Sequence, residues 1–241
     1  PLHKRREILM EFARLVKRDR ESLAKTLSDE TGKPIKEALA EIDNIQIGVP
    51  AYVEKAKHDY GNVIYRGTEA GQENTIQYTI QQPLGVMVAI IPFNFPSDIF
   101  INKIPPALIM GNSCILKPAS VNPLTLTKYV ELLKEAGIPD GVIQVVHGSG
   151  GVVGTALTSN PDVAIVSLTG STEAGIDAAQ RVVEQCGHSS LELGKNDAFI
   201  ICADGDLDLA VNETVWGRLY NTGQVCCASK RLLVENSVKD K

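Results

Sequence analysis

The chain is 241 residues long, with 24 Lys+Arg against 29 Asp+Glu and a formal charge of −5, so it has no net electrostatic pull towards nucleic acid or an anionic membrane. Its 44% apolar and 22% charged residues exclude a disordered polymer and fit a mixed α/β globule. No apolar run reaches the ~18 residues of a membrane-spanning helix; the strongest, residues 84–91, stops at Pro92.

The sequence opens at Pro1, almost at once inside an amphipathic pattern, and is expected to continue upstream. Basic residues 3–6 have no continuous apolar segment behind them, which argues against a signal peptide. Cysteines 114, 186, 202, 226 and 227 form no CxxC pair, so neither a metal site nor a disulfide framework is expected, and the location expected is cytoplasmic. Ile8, Phe12, Leu15, Val16, Leu23 and Leu27 recur at three- and four-residue steps. After Gly32 and Pro34 the pattern resumes through Ala38, Leu39, Ile42 and Ile45. Residues 1–60 therefore read as a packed pair of helices.

From Gly61 the period becomes two. Residues 73–81 alternate apolar and polar positions, as a half-buried antiparallel strand does, and with residues 62–66 they predict a hairpin standing apart from the main sheet. Beyond Pro83 come four short, nearly all-apolar runs, at 86–91, 114–116, 142–146 and 163–168, each followed by a helix-compatible stretch. Strands buried on both faces and joined by crossover helices form a doubly wound parallel sheet, an α/β fold. Near residues 192–208 the composition shifts, and a second lobe is expected to begin there and to be cut short at Lys241.

Ligands of open α/β sheets lie beyond the carboxyl ends of the strands. Those tips are Ile91-Pro92-Phe93-Asn94-Phe95-Pro96, Lys117-Pro118-Ala119-Ser120, His147-Gly148-Ser149-Gly150 and Thr169-Gly170-Ser171-Thr172. Gly148, Gly150 and Gly154 make GxGxxxG, one residue off the dinucleotide fingerprint, so Thr169-Gly170-Ser171 is the better phosphate candidate. It follows a strand and opens a helix whose apolar face is read as Ile176, Ala179 and Val183, so exposed N–H groups and the Ser171 hydroxyl can meet a pyrophosphate. Lys117 adds a cation at a neighbouring tip. Cys226 lies in a Gly- and Gln-containing interruption of an apolar helix and is read as accessible. Cys114, Cys186 and Cys202 read as small buried hydrophobes and Cys227 as structural. Glu192, an acid inside an apolar segment, is expected to be buried, with the raised pKa that suits a general base.

Phe93-Asn94-Phe95-Pro96, Lys117-Pro118-Ala119-Ser120, Thr169-Gly170-Ser171, Glu192-Leu193-Gly194 and Gly223-Gln224-Val225-Cys226 occur in this order, and together they resemble the aldehyde dehydrogenase superfamily across essentially the whole chain, most closely in the style of the succinate-semialdehyde enzymes. The resemblance implies a cofactor-binding domain at 1–60 and 84–192, an oligomerisation-type hairpin at 61–83 and the start of a catalytic domain at 193–241. It implies Cys226 as nucleophile, Glu192 as base, Asn94 as oxyanion donor with the Cys226 N–H, and Lys103 in proton relay. Ile91, Pro92, Phe93, Lys117, Ser120, Gly150, Thr169, Gly170 and Ser171 would hold the cofactor. The reaction implied is oxidation of an aldehyde, semialdehydes included, by NAD(P) through a thiohemiacetal and a thioester, in a homo-oligomer.

Departures from the family pattern refine this. Lys195 stands where the family usually has a second glycine, and Asn102 where succinate-semialdehyde enzymes often carry an Arg for the substrate carboxylate. Ser120 replaces the Glu of many NAD-preferring members, so NADP, or use of both cofactors, is expected. Two other readings stay open: release of the thioester to coenzyme A, and a non-catalytic cofactor-binding piece whose active site is incomplete.

Overall fold

A computed structural model describes residues 1–59 and 61–240; Tyr60 and Lys241, which close two of the expected domain spans, lie outside the described residues. The amino-terminal region holds four helices rather than a pair: α1 (Leu2–Arg18), α2 (Arg20–Thr31), α3 (Ile35–Asp43) and α4 (Ile45–Ala56). The two extra breaks fall at Asp19 and Asn44, neither a glycine nor a proline, so the apolar period runs on through them. The break after α2 is legible: Gly32 takes φ +72° there, a conformation that favours glycine, and its N–H returns to the Ser28 carbonyl.

The hairpin forms, but smaller and drier of partners than its alternation suggests. Only β1 (Val63–Ile64) and β2 (Gln77–Tyr78) pair, antiparallel, and both are exposed. Val63, Ile76, Tyr78 and Ile80 all face solvent.

The main sheet has five parallel strands in the order β5-β4-β3-β6-β7, comprising β3 (Val86–Ile90), β4 (Ser113–Lys117), β5 (Ile143–Val145), β6 (Val163–Thr169) and β7 (His188–Glu192). The crossovers are α5 (Pro96–Ile109), α6 (Leu124–Glu135), a π-helical turn at Gly150–Gly154 running into α7 (Thr155–Thr158), and α8 (Thr172–Val183). Strand β7 has no apolar run in the sequence because, as an edge strand, it buries little: only Leu191 is even partly covered. Successive side chains of β3 serve two cores. Met87 and Ala89 join the cluster built by α1–α6, where the rings of Phe12, Phe100 and Tyr129 pack tilted or edge-on at centroid separations of 5.0–5.9 Å. Val88 joins Val163, Val166, Leu168, Ala178 and Val182 on the other face.

On α8 the buried residues are Gly175, Ala178 and Val182, so the helix is turned one position from the face expected, and Ile176 and Val183 are exposed. A close approach accompanies the turn: a Cβ on Gly175 would sit 2.4 Å from Leu193 Cδ2, so glycine there lets the helix lie over the segment after Glu192 without displacing the Leu193 side chain. Beyond β7, β8 (Ala198–Ile201) and β9 (Arg231–Val234) form a separate parallel pair joined through α9 (Leu207–Leu219), a helix with no buried residue.

The strand order reverses between β3 and β6, since the chain winds outward through β4 and β5 and then returns to the other side of β3. At that reversal the two crossovers depart to opposite faces and leave a crevice at the strand tips. Asn94 follows β3 and Thr169 ends β6, so both lie on the crevice.

Candidate active site

Three clefts open along this edge. One, of about 410 Å³, is lined by Lys117, Gly150, Gly154, Thr155, Ser171 and Asp177 among others. A second, of about 440 Å³, contains Pro92, Phe93, Thr169, Gly170, Glu192 and Gln224, and shares Ser171 with the first. The third, of about 520 Å³, is walled by Phe95, Asp98, Phe199, Glu213, Trp216 and Tyr220. Asn94, Thr169, Val225 and Cys226 line both the second and the third, so the cysteine stands between them.

The first cleft has anion-binding chemistry. The Ser171 hydroxyl caps α8, accepting from the Ala174 N–H at 3.2 Å, and the Ser149 hydroxyl caps the π-helical turn, accepting from the Val152 N–H at 3.3 Å. Lys117 is 4% exposed, and among the described residues the one hydrogen bond its ammonium makes is to the Pro118 carbonyl at 3.3 Å, which leaves donors for a ligand. Burial pulls its pKa down. A Cβ on Gly150 or Gly151 would meet nothing within 4 Å, so the floor is open. Between this cleft and the next, the Thr169 hydroxyl oxygen is buried without a hydrogen-bond partner among the described residues, as a group awaiting a polar ligand would be. Together these features fit the phosphates of the dinucleotide cofactor that the resemblance implies, with Lys117, Ser171 and Thr169 as the groups that would hold them.

Three of the residues read as cofactor contacts or proton carriers line none of the clefts. Ile91 is buried and ties β3 to β4, its N–H donating to the Lys117 carbonyl at 3.0 Å. The Ser120 hydroxyl donates to the Gly148 carbonyl at 3.0 Å and so joins two tip loops. Lys103 lies beneath the site, 7% exposed, with its ammonium donating to the Ser167 hydroxyl at 2.8 Å. Burial lowers the Lys103 pKa to about 8, partly opposed by the Glu192 carboxylate, so this amine exchanges protons close to neutral pH.

The loop that carries Cys226 is strained and tied down. Asn221, Thr222 and Gly223 take φ of +50°, +56° and +75° in succession. For residues with a Cβ such a conformation costs about 1–3 kcal/mol each and persists only when surroundings enforce it. Gly223 has no Cβ to strain at φ +75°, and one placed there would also meet the Arg218 carbonyl oxygen at 3.0 Å. Asn221 supplies the enforcement: its N–H donates to the Glu37 carboxylate at 3.1 Å and its side-chain amide to the Asn94 carbonyl at 3.0 Å. The Asn94 side-chain amide in turn donates to the Gln224 carbonyl at 2.9 Å, and it retains a second N–H. Strand tip and cysteine loop are thus laced together in both directions.

Two expectations are corrected here. Glu192 is not buried: its side chain is 61% exposed, because β7 is an edge strand, and its carboxylate pairs with Lys195 at 3.0 Å. The residue in place of the family's second glycine therefore supplies a counter-charge to the candidate base. Cys186 and Cys202 are exposed rather than buried; of the three cysteines read as core residues only Cys114 is, and burial pushes its thiol up to about 12. Cys227 is exposed as well and acts on Cys226. Burial and the Cys227 thiol together push the Cys226 thiol up from its ordinary value, while the Lys195 ammonium pulls the other way. Asn102 lines none of these clefts and accepts from the Tyr52 hydroxyl at 3.0 Å.

Lys33, Glu37, Glu41 and Asn221 escaped the sequence reading. Periodicity singles out apolar positions, and these are polar residues that touch the site from 50 or more positions away, or, for Asn221, by an unusual backbone. The one available signal was the Gly32-Lys33-Pro34 break, where a lysine sits between two helix-terminating residues.

The sequence pattern of the aldehyde dehydrogenase family matches residues 1–241. The chain is 40% identical to the NADP(+) succinate-semialdehyde dehydrogenase of Escherichia coli over 241 residues, 98% of this chain and 48% of that protein. It is 39% identical to a glutarate-semialdehyde dehydrogenase of Pseudomonas putida over 232 residues, covering 96% of this chain and 48% of the relative. A betaine aldehyde dehydrogenase from Staphylococcus aureus, solved with NAD+, superposes with a TM-score of 0.95 at 33% identity, over 100% of this chain and 47% of that one. The chain spans about half the length of the relatives it matches.

The raised Cys226 pKa predicts how its reactivity depends on pH. Fewer thiolates form at any given pH than for an ordinary cysteine, so the iodoacetamide alkylation rate at Cys226, mapped by peptide mass spectrometry, is expected to reach half its plateau at a higher pH than that of an unstructured cysteine peptide measured beside it. A midpoint at or below that of the peptide would contradict it.

Proposed function

The chain belongs to the aldehyde dehydrogenase family, and on that premise we propose that the protein oxidises an aldehyde to a carboxylic acid with NADP or NAD, using Cys226 as the nucleophile. The observation that carries the reading is the position of Cys226 in the wall between two clefts, one suited to the cofactor and the other left for the aldehyde.

The Cys226 thiol gives its proton to Glu192, which passes it to solvent, and the sulfur attacks the carbonyl carbon, the C–S bond forming as the carbonyl π pair moves onto oxygen. The free N–H of the Asn94 side chain and the Cys226 N–H are the donors for that oxyanion; one such donor is typically worth about 10²–10³ in rate. When bound, the nicotinamide supplies the hydride acceptor for the oxidation. Glu192, reachable from the second cleft, takes a proton from the water that cleaves the resulting thioester, returning Cys226 as a thiol. Lys103, with its pKa near neutrality, is the buried reservoir for protons at this end of the sheet. Because the Cys226 thiol is raised rather than lowered at rest, its activation falls to Glu192, Lys195 and the approach of the cofactor.

We read 1–60 and 84–192 as the cofactor-binding domain and 193–241 as the start of the catalytic domain. The exposed apolar residues of the 61–83 hairpin support a role in homo-oligomer contacts, and sedimentation of the protein as a monomer would count against it. All five cysteines are free and no described helix is long and apolar enough to cross a membrane, which supports a cytoplasmic setting, testable by fractionation.

The third cleft carries Asp98 and Glu213 and no basic residue among its described lining. This favours a small uncharged aldehyde over a carboxylate-bearing semialdehyde. Steady-state turnover of butyraldehyde and succinate semialdehyde tests the reading: Cys226→Ala should abolish both activities, Cys227→Ala should keep most of them, and butyraldehyde should have the higher kcat/KM. Full turnover by Cys226→Ala would overturn the nucleophile.

Cofactor preference follows from a missing charge. With the Ser120 hydroxyl committed to the Gly148 carbonyl, its contribution is the absence of a carboxylate that would repel a 2′-phosphate, beside a cation at Lys117. Two like charges ~4 Å apart interact by about 4 kcal/mol near a protein surface. NADP is expected to have the higher kcat/KM, and Ser120→Glu to reverse the order. A strong NAD preference left unchanged by Ser120→Glu would contradict this.

A further inference from the structure

We infer that Lys33 and Glu41, a charge pair from the α2–α3 region that takes no part in the chemistry, form a positioning clamp that sets the direction of the Asn94 side chain; this rests on the reading of Asn94 as an oxyanion donor. Both side chains are 0% exposed and joined in an ion pair. A buried pair of this kind is a poor source of stability, since desolvating two charges offsets most of their attraction and well-packed apolar replacements are often as stable. What the two charges touch points to geometry instead.

An ammonium has three N–H donors. Those of Lys33 are directed at the Glu41 carboxylate, at the Asn94 carbonyl 2.9 Å away, and at the face of the Phe95 ring, whose centroid lies 3.9 Å off. Two successive residues of the site loop are thus held by one side chain 61 positions earlier in the sequence. The second Glu41 oxygen accepts the Ser97 N–H at 2.7 Å, one of the amides at the start of α5 that has no partner within its own helix. Ser97 continues the network, its hydroxyl lying 2.8 Å from that of Tyr129 in the aromatic core.

Lys33 therefore grips the carbonyl of residue 94 and Glu41 the amide of residue 97. With both ends of that turn fixed, the peptide plane after Asn94 is fixed, and so is the direction in which its Cβ leaves the chain. Asn221 donates to the same carbonyl, so both acceptor positions of Asn94 are filled and the cysteine loop is registered on the same atom. The anchor is itself rigid: Gly32 turns the chain at φ +72°, Pro34 starts α3, and Ala38, Glu41 and Ile42 of that helix are buried. Burial of Glu41 raises its pKa to about 7 against the pull of Lys33, as expected where the carboxylate is held for its place rather than its solvation.

The test is a double variant, Lys33→Met with Glu41→Gln, which removes both charges, keeps the volume and leaves an amide oxygen for the Ser97 N–H. It also avoids the unpaired buried charge that a single Lys33→Met variant would leave. The double variant is expected to fold, to keep its KM for cofactor, and to lose roughly 10–100-fold in kcat, the usual consequence of displacing a catalytic group by about 1 Å. In an Asn94→Ala background the same two changes should alter kcat by less than about twofold, since the group being aimed is gone. Hydrogen exchange over residues 220–226, read without substrate, should quicken in the double variant. Equal losses in both backgrounds, an unchanged kcat, or unchanged exchange in the loop would overturn the clamp. Retention of turnover by Cys226→Ala would instead defeat the reading of the reaction, and the exchange measurement would still decide the clamp.

Discussion

The site depends on one piece of geometry, the parallel pairing of β3 with β6. Past a one-residue irregularity after Val86, their register runs from Met87 opposite Ile165 to Ile90 opposite Leu168, and it brings the residues after both strands to the same edge. Ile91 and Lys117 do the same between β3 and β4, and the Gly170 N–H bonded to the Glu192 carbonyl at 3.0 Å does so between β6 and β7. A one-residue slip in any of these ladders would turn every tip side chain to the other face. The two cores on either side of β3 make such a slip costly, because Met87 and Ala89 would exchange environments with Val88.

On that edge the chain spends conformational strain in one place. Three successive left-handed residues before Cys226 would relax if left alone, and they are held by polar contacts to Asn94 and Glu37. The result is a cysteine presented between two clefts instead of being carried on along α9. Around it the electrostatics are mixed: burial and Cys227 disfavour the thiolate, and Lys195 favours it while also engaging Glu192. The Cys226 thiol is thus held towards its protonated form, and the carboxylate of the candidate base Glu192 is paired with Lys195.

Much of this was legible in the sequence, and the limits have physical causes. The four buried strands announced themselves because they are apolar on both faces, and the tip motifs because glycine, proline and short polar residues end strands. Strand β7 was silent since an edge strand needs no apolar run. The helix breaks at Asp19 and Asn44 were silent because a single residue of ordinary backbone can kink a chain without leaving a compositional mark. The position of Glu192 was misjudged for the related reason that apolar neighbours, Leu191 and Leu193, were taken to imply a buried acid. Lys33 and Glu41 are polar and more than 50 positions from the loop they touch, and Asn221 acts through an unusual backbone, so apart from the Gly32-Lys33-Pro34 break only three-dimensional proximity identifies them.

The central claim is that Cys226 forms the covalent bond to substrate and that Glu192 serves its hydrolysis. It is tested most directly by trapping the acyl group in a Glu192→Gln variant mixed with butyraldehyde and NADP at alkaline pH, where solvent itself takes the thiol proton and only the hydrolysis still needs the carboxylate, then quenched in acid and mapped by peptide mass spectrometry. The account predicts an acyl mass on the peptide containing Cys226, assigned to that residue by fragmentation, and dependent on both aldehyde and cofactor. An acyl mass on Cys227 or another residue, or none at all while the parent protein oxidises the aldehyde, would contradict it.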